Sequence, residues 1–145
     1  MNFETTVRIA RSVDDVFAFV SDPDNFPQWN SAVQAVRKTS EAGPGVGATY
    51  MMERELPSGR ARNQLEIVAC ERPIEFSIRT TSGPTPFVYR YRFTSEDDVT
   101  IVHLDAEVEL EGAAALLGPL ARRAVKNGVD DNFATLKQIL EAAPP

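Results

Sequence analysis

Polar residues that share a strand face with apolar neighbours are the first candidates for chemistry in this sequence. Tyr50 alternates with Met52 along one predicted strand. Tyr89 and Tyr91 alternate with Phe87 along another. A buried tyrosine has an apolar ring and a hydroxyl that requires a partner, which suits the wall of a small-molecule site. The residues predicted to line such a site are Tyr50, Met52, Asn63, Leu65, Phe76, Ile78, Phe87, Tyr89, Tyr91 and Asn132.

Alternatively, the same aromatic side chains fill the hydrophobic core without forming a ligand site, and the tyrosine hydroxyls lie at the edge of that core. Arg54 continues the face of Tyr50, so an inward side chain could bind an acidic ligand. A strand-end arginine that extends into solvent is the favoured interpretation. Asn132 falls on the apolar face of a predicted helix, where burial requires a protein group, a water or a ligand as its hydrogen-bond partner.

No residue can be assigned a catalytic role from the sequence. The single histidine, His103, shares strand parity with Asp105 and Glu107, and the opposite parity is apolar. We therefore expect these three to face solvent, without forming an acid–base pair or a metal site. The single cysteine, Cys70, excludes an intrachain disulfide and is predicted to be a buried, unreactive thiol. No cofactor-binding motif occurs, and no metal or cofactor is expected.

The elements that must position these residues follow from periodicity and turn signals. Residues 2–10 alternate as a strand, Ser12 is a plausible cap for a helix from Val13, and Asp22 caps a short helix that opens at Pro23. Trp29 is predicted to close one end of the core. Six further strands are predicted over 32–39, 46–56, 60–70, 74–80, 87–93 and 100–110.

A single long amphipathic helix is predicted over 113–140. Gly128 lies on its apolar face and requires a local reason, either a close approach or open space. The whole predicted face is Leu117, Ala121, Ala124, Val125, Gly128, Asn132, Leu136 and Ile139. Only this helix offers enough apolar surface to cover the apolar side of the sheet. The expected fold is α+β, a helix-grip arrangement in which a curved seven-stranded antiparallel sheet wraps around the C-terminal helix, as one domain over 1–145.

The chain resembles the START-like, or SRPBCC (Bet v 1-like), superfamily and its polyketide cyclase/dehydratase-type branch. The resemblance rests on the order β-α-α-β6-α, on Asp22-Pro23 followed by Pro27-Gln28-Trp29, and on the segment 66–73. It implies an elongated apolar cavity between the sheet and the long helix. The implied function is binding, or binding and transport, of a lipid, polyketide or aromatic compound. The alternative is a cyclase/dehydratase-like enzyme that acts on an aromatic or polyketide substrate.

Composition limits the partners. The net charge of −6 provides no basic surplus for phosphates, so no nucleic-acid partner is expected. No apolar run is long enough to span a bilayer, and the N-terminus lacks the pattern of a signal peptide. We therefore expect a cytoplasmic protein. The sequence leaves both a monomer and a homodimer open.

Overall fold

Seven antiparallel strands form one sheet in the computed structural model, which describes residues 1–41, 43, 45–56 and 59–144, with the side chain of residue 113 excepted. Their spatial order is β1-β7-β6-β5-β4-β3-β2, so every strand from β2 onward pairs with its neighbour in the chain and β1 closes onto β7. The strands are β1 Asn2–Ile9, β2 Val33–Lys38, β3 Thr49–Leu56, β4 Gly59–Glu71, β5 Glu75–Ser82, β6 Phe87–Glu96 and β7 Val99–Val108.

Two short helices connect β1 to β2 at one end of the sheet. Helix α1 spans Val13–Val20, and the Ser12 hydroxyl accepts a hydrogen bond from the Asp15 amide at 3.3 Å, which confirms the predicted cap. A 3-10 turn over Pro23–Asn25 leads into α2, Phe26–Trp29, and Asp22 caps that turn. Trp29 is buried, as predicted.

The long C-terminal helix is confirmed, but the prediction that it runs unbroken from residue 113 is wrong. The segment forms α3, Gly112–Leu116, and α4, Pro119–Ala142, with a break at Gly118, whose φ is +53°. A residue before proline avoids the helical conformation, and glycine adopts a positive φ without the steric cost of a Cβ. Leu117 and Ala124 of the predicted face are exposed, whereas Ala121, Asn132 and Leu136 of that face are buried. The buried face of α4 also includes Val129, Phe133 and Leu140.

The C-terminal half of α4 is fixed to β1 and to the chain that follows β1. The Thr5 hydroxyl donates to Asp130 at 2.6 Å, and Lys137 donates to the Arg8 carbonyl at 2.6 Å. The Ala10 amide donates to the Glu141 carboxylate at 2.8 Å. The helix therefore packs with its buried face toward the sheet and α2, which is the helix-grip arrangement expected from the sequence.

Alternation along the strands separates an apolar inner face from a charged outer face. Arg62 pairs with Glu53 and Arg92 with Asp105 on the outer face. In β4 the register shifts between Ile67 and Ala69, a bulge that interrupts the alternation. Cys70 follows that bulge near the end of the strand and is exposed, so the prediction of a buried thiol is wrong.

Candidate functional site

The inner face of β6 carries four aromatic side chains in succession, Phe87, Tyr89, Tyr91 and Phe93, and we call the first three the aromatic row. The ring centroids of Phe87 and Tyr89 are 4.4 Å apart, and those of Tyr89 and Tyr91 are 6.2 Å apart. Trp29 of α2 continues this series, with its centroid 6.3 Å from that of Tyr91. Because residues two apart share a strand face, alternation in β6 is sufficient to build the row.

A small cavity lies between the aromatic row and α2. Its volume is about 10 Å³, counted as space for the centre of a water-sized sphere, so this form of the protein has room there for a single water. Five of the predicted site residues are brought together around it. These lining residues are Met52, Ile78, Phe87, Tyr89 and Tyr91, and they are joined by Phe26, Trp29 and Asn30.

The other five predicted site residues are buried but do not line the cavity. Tyr50 and Leu65 lie in the core, and Phe76 stacks on Tyr91 with a centroid separation of 6.1 Å. The Asn132 side chain accepts from the Ser31 amide and donates to Asn30, each at 3.2 Å. A protein group is thus the partner of Asn132, one of the three alternatives left open by the sequence.

Asn63 is fully buried and connects β4 to the loop between β5 and β6. Its amide nitrogen donates to the carbonyls of Ser82 and Pro84 at 3.1 and 2.8 Å. Its amide oxygen accepts from the Arg54 guanidinium at 3.0 Å. Asn63 therefore positions both the loop and Arg54, and its hydrogen-bonding groups have protein partners.

Arg54 does not extend into solvent, contrary to the favoured interpretation of the sequence. Its guanidinium donates to Asn63 and to the Thr85 carbonyl, and its central carbon lies 5.3 Å from the centroid of the Phe87 ring. A fully buried acceptor on Asn63, a half-buried one on Thr85 and an aromatic face are available to it at this strand end, and they hold the side chain over the sheet. The guanidinium therefore lies at the Phe87 end of the aromatic row.

One buried polar group at the cavity has no partner among the described residues, and two tyrosines also line this cavity. The Trp29 indole N–H is buried and has no partner among the described residues. Burial raises the pKa of Tyr91 well above its ordinary value, and it also raises the pKa of Tyr89 against an opposing effect of Arg54. Both hydroxyls are therefore protonated at neutral pH and can donate hydrogen bonds.

Sequence reasoning did not include Phe26, Trp29 and Asn30 in the site. The signal was present, since Trp29 was predicted to close one end of the core, which is where the cavity lies. Periodicity could not place these residues, because the turn-rich segment 22–30 has none. Their position depends on how α2 packs against β2 and α4.

The outer face of the sheet brings Glu4, His103 and Asp105 together. His103 is hydrogen-bonded to Thr6 at 2.9 Å and lies 3.2 Å from Glu4 and 3.4 Å from Asp105. The expectation that His103 faces away from the core is confirmed, but its acidic neighbour across the strands is Glu4. Glu107 pairs with Arg90 instead. The register between β1 and β7 determines which acidic residues lie beside His103. Alternation along one strand does not predict that register.

An open cleft of about 570 Å³ lies between β2, β3 and β4. It is larger than the inner cavity, but its walls are mainly charged and polar side chains. The lining residues are Gln34, Ala35, Glu53, Arg54, Arg60, Ala61 and Arg62. Sites for apolar ligands are lined predominantly by apolar and aromatic groups, so the aromatic row is the better candidate.

The family model described as "Polyketide cyclase / dehydrase and lipid transport" matches residues 1–141. The chain belongs to this family. A search of the curated proteins gave no significant match. The resemblance drawn from the sequence is thus confirmed at the level of the family.

Solved structures share the fold at low sequence identity. A START superfamily protein from Mycobacterium smegmatis is 17% identical, with 97% of each chain covered and a TM-score of 0.79. A Thermus thermophilus protein is 15% identical over 100% of both chains, with a TM-score of 0.84. The Zhui aromatase/cyclase of a Streptomyces species is 13% identical, with 97% of this chain and 93% of that chain covered and a TM-score of 0.75. None of the described helices combines the length and apolar character needed to span a bilayer.

Proposed function

We propose that this protein binds a hydrophobic small molecule, such as a lipid, polyketide or aromatic compound, between the aromatic row, α2 and α4. The observation that carries the proposal is the unpartnered indole N–H of Trp29, buried beside the protonated hydroxyls of Tyr89 and Tyr91. A buried donor without a partner costs about 1–3 kcal/mol, which a ligand acceptor would recover. Apolar walls with a few such donors are the usual composition of a ligand site.

Binding requires the site to open. Ligand pockets usually have volumes of about 300–1,000 Å³, far more than the single-water cavity of this form. The region best suited to move is α3 with the first turn of α4, because its leucines do not pack on the core. Leu116, Leu117 and Leu120 are 90%, 57% and 69% exposed. We propose that this segment shifts to admit the ligand.

The proposal is tested by titrating the protein with N-phenylnaphthylamine, a neutral apolar dye that becomes fluorescent in apolar sites, and by native mass spectrometry of the complex. We expect a saturable 1:1 complex. Tyr89→Ala removes part of the aromatic row and is expected to weaken binding about tenfold or more, since loss of a large buried contact costs at least ~1.4 kcal/mol.

Val88→Ala is the matched control, because Val88 is the next residue along β6 and lies on the opposite face. It is expected to leave the dissociation constant within about twofold, a change of ~0.4 kcal/mol. Absence of saturable binding would contradict the proposal, and so would equal weakening by both variants.

The alternative function is cyclisation or dehydration of an aromatic or polyketide substrate. The observation that favours it is the protonated hydroxyl of Tyr89 near the cationic Arg54, with the protonated hydroxyl of Tyr91 next along the row; these groups could polarise a substrate carbonyl. Tyr50→Phe, Tyr89→Phe and Tyr91→Phe are each expected to stay folded, and the two row variants are expected to lose turnover of a linear poly-β-ketone thioester. Full activity in all three variants would exclude this alternative.

Four further properties are proposed on the sequence alone. The protein acts as one domain over 1–145, as a monomer or homodimer in the cytoplasm. The net charge of −6 disfavours a nucleic-acid partner. Size-exclusion chromatography with light scattering measures the oligomeric state directly.

A further inference from the structure

Arg54 is a cation that the fold has placed at the Phe87 end of the aromatic row. Asn63, which is fully buried, accepts a hydrogen bond from one terminal nitrogen of Arg54, and the Thr85 carbonyl accepts from the same nitrogen. The central carbon of the guanidinium also lies over the Phe87 ring, 5.3 Å from its centroid. These contacts use one of its nitrogens, and an arginine has five N–H donors. The remaining donors have a defined orientation and are available to a ligand.

The positive charge of Arg54 is not neutralised by an ion pair within the described chain. Burial lowers the pKa of Arg54, and Tyr89 opposes that effect, with no carboxylate contributing to the shift. Glu111 is bonded to the same loop, but its carboxylate accepts from the Thr85 amide. A partly buried cation without a counterion is costly, so the site favours an anion that can pair with it.

We infer that the ligand carries an acidic group, such as a carboxylate, a sulfonate or an ionised phenol, which pairs with Arg54 while its apolar body lies along the aromatic row. This inference rests on the proposed function and names the ligand class for the same site. Arg54 also lines the open cleft between β2, β3 and β4. The acidic group can thus keep partial contact with water, which reduces its desolvation cost.

The spacing along β6 sets the size of the ligand. Phe87 and Tyr91 are four residues apart, a span of about 13 Å along an extended strand. Arg54 stacks on the first ring and Trp29 packs against the last. A ligand that uses the whole row therefore has an elongated body of several fused rings or a comparable alkyl chain. Its acidic end lies at Arg54, and a hydrogen-bond acceptor lies near Trp29.

The test compares two dyes that share an aromatic body and differ by one acidic group, namely N-phenylnaphthylamine, which is neutral, and anilinonaphthalene sulfonate, which is anionic. We expect the wild-type protein to bind the sulfonate about tenfold more tightly, the effect of one charge-assisted contact. Arg54→Gln is expected to remove this preference, so that the ratio of the two dissociation constants falls to about one. Arg54→Lys keeps the charge without the planar fork and is expected to retain part of the preference.

Arg8→Gln is the matched control, because it makes the same change in charge at a side chain of β1 that is 59% exposed and lies outside the open cleft. It is expected to leave the preference intact. If the neutral dye binds and the sulfonate binds no more tightly, or if Arg54→Gln weakens both dyes equally, the inference is overturned while the proposed function stands. If neither dye binds the wild-type protein, the proposed function and the inference both fail. Thermal unfolding of each variant confirms that the compared proteins are folded.

Discussion

The two ends of the C-terminal helical segment differ in how they are attached to the rest of the molecule. From Val129 to Leu140 the helix buries large side chains and is hydrogen-bonded to β1 and to Ser31. From Gly112 to Leu120 it exposes three leucines, and neither α3 nor α4 begins with a side-chain cap. The break at Gly118 separates the two regions. One end completes the fold, and the other contributes little to the core.

The attached end of the segment contributes to the stability of the fold, and the exposed end is the part that we propose moves when a ligand enters. A segment packed tightly on the core along its whole length could move only by losing buried apolar contacts. Because the segment before and after Gly118 has little buried apolar surface, it can move at a low cost in free energy. We therefore expect substitutions at the attached end to lower the free energy of unfolding, and substitutions at the exposed end to change it little.

The largest expected effect is that of truncating a leucine at each end. Leu136 is fully buried and Leu116 is 90% exposed. Leu136→Ala is expected to lower the free energy of unfolding by about 2–5 kcal/mol, because it removes apolar contacts and leaves a cavity. Leu116→Ala is expected to change it by less than about 0.5 kcal/mol. Urea denaturation of both variants measures the contrast, and equal losses would contradict it.

The next largest loss of stability is expected when the side-chain amide of Asn132 is removed. Asn132→Ala removes the acceptor of the Ser31 amide and one of the two donors to the Asn30 side-chain oxygen, and it is expected to cost about 1–3 kcal/mol. Asn127, one and a half turns earlier on the same helix, is exposed. Asn127→Ala is expected to be neutral or slightly stabilising, because alanine has the higher helix propensity. A neutral Asn132→Ala variant would show that the amide contacts do not attach the helix.

Replacing glycine by alanine is expected to lower the free energy of unfolding at position 118 and to raise it at position 128. Gly118 has a φ of +53°, which an alanine adopts only at a cost of about 1–2 kcal/mol. Gly128 lies within α4, and an added Cβ would meet no atom within 4 Å. Gly128→Ala is therefore expected to stabilise the protein by about 0.5–1 kcal/mol. Thermal unfolding of the two variants tests the signs, and stabilisation by Gly118→Ala would refute the break.

The smallest expected effect concerns pH. Burial opposes the shift, but hydrogen bonds from Thr5 and Lys126 lower the pKa of Asp130 overall. A lowered folded-state pKa gives stability that is present above the ordinary carboxyl pKa, near about 4, and is lost as the pH falls below it. Asp130→Asn should reduce this acid dependence slightly, whereas Asp131→Asn, at an exposed neighbour, should not. Denaturation curves at neutral and acidic pH distinguish the two variants.

Alternation along the strands was sufficient to predict the sheet, its inner face and the aromatic row. It could not predict the break at Gly118, because the apolar pattern continues through it in sequence while the backbone changes direction. The inward position of Arg54 was also missed. It depends on Asn63 and on the loop at Thr85, which are distant in sequence and meet only in the folded sheet. Alternation predicts which face of a strand a residue lies on. Contacts between distant strands and loops can be identified only once the folded structure is known.

Trp29 provides the most direct measurement, because it is the only tryptophan of the chain and lines the cavity. Its fluorescence is followed while N-phenylnaphthylamine is added, and the stoichiometry is determined by native mass spectrometry. The account predicts a saturable change in Trp29 emission with the same dissociation constant as the 1:1 complex. A 1:1 complex that leaves Trp29 emission unchanged would place the ligand elsewhere and contradict the account.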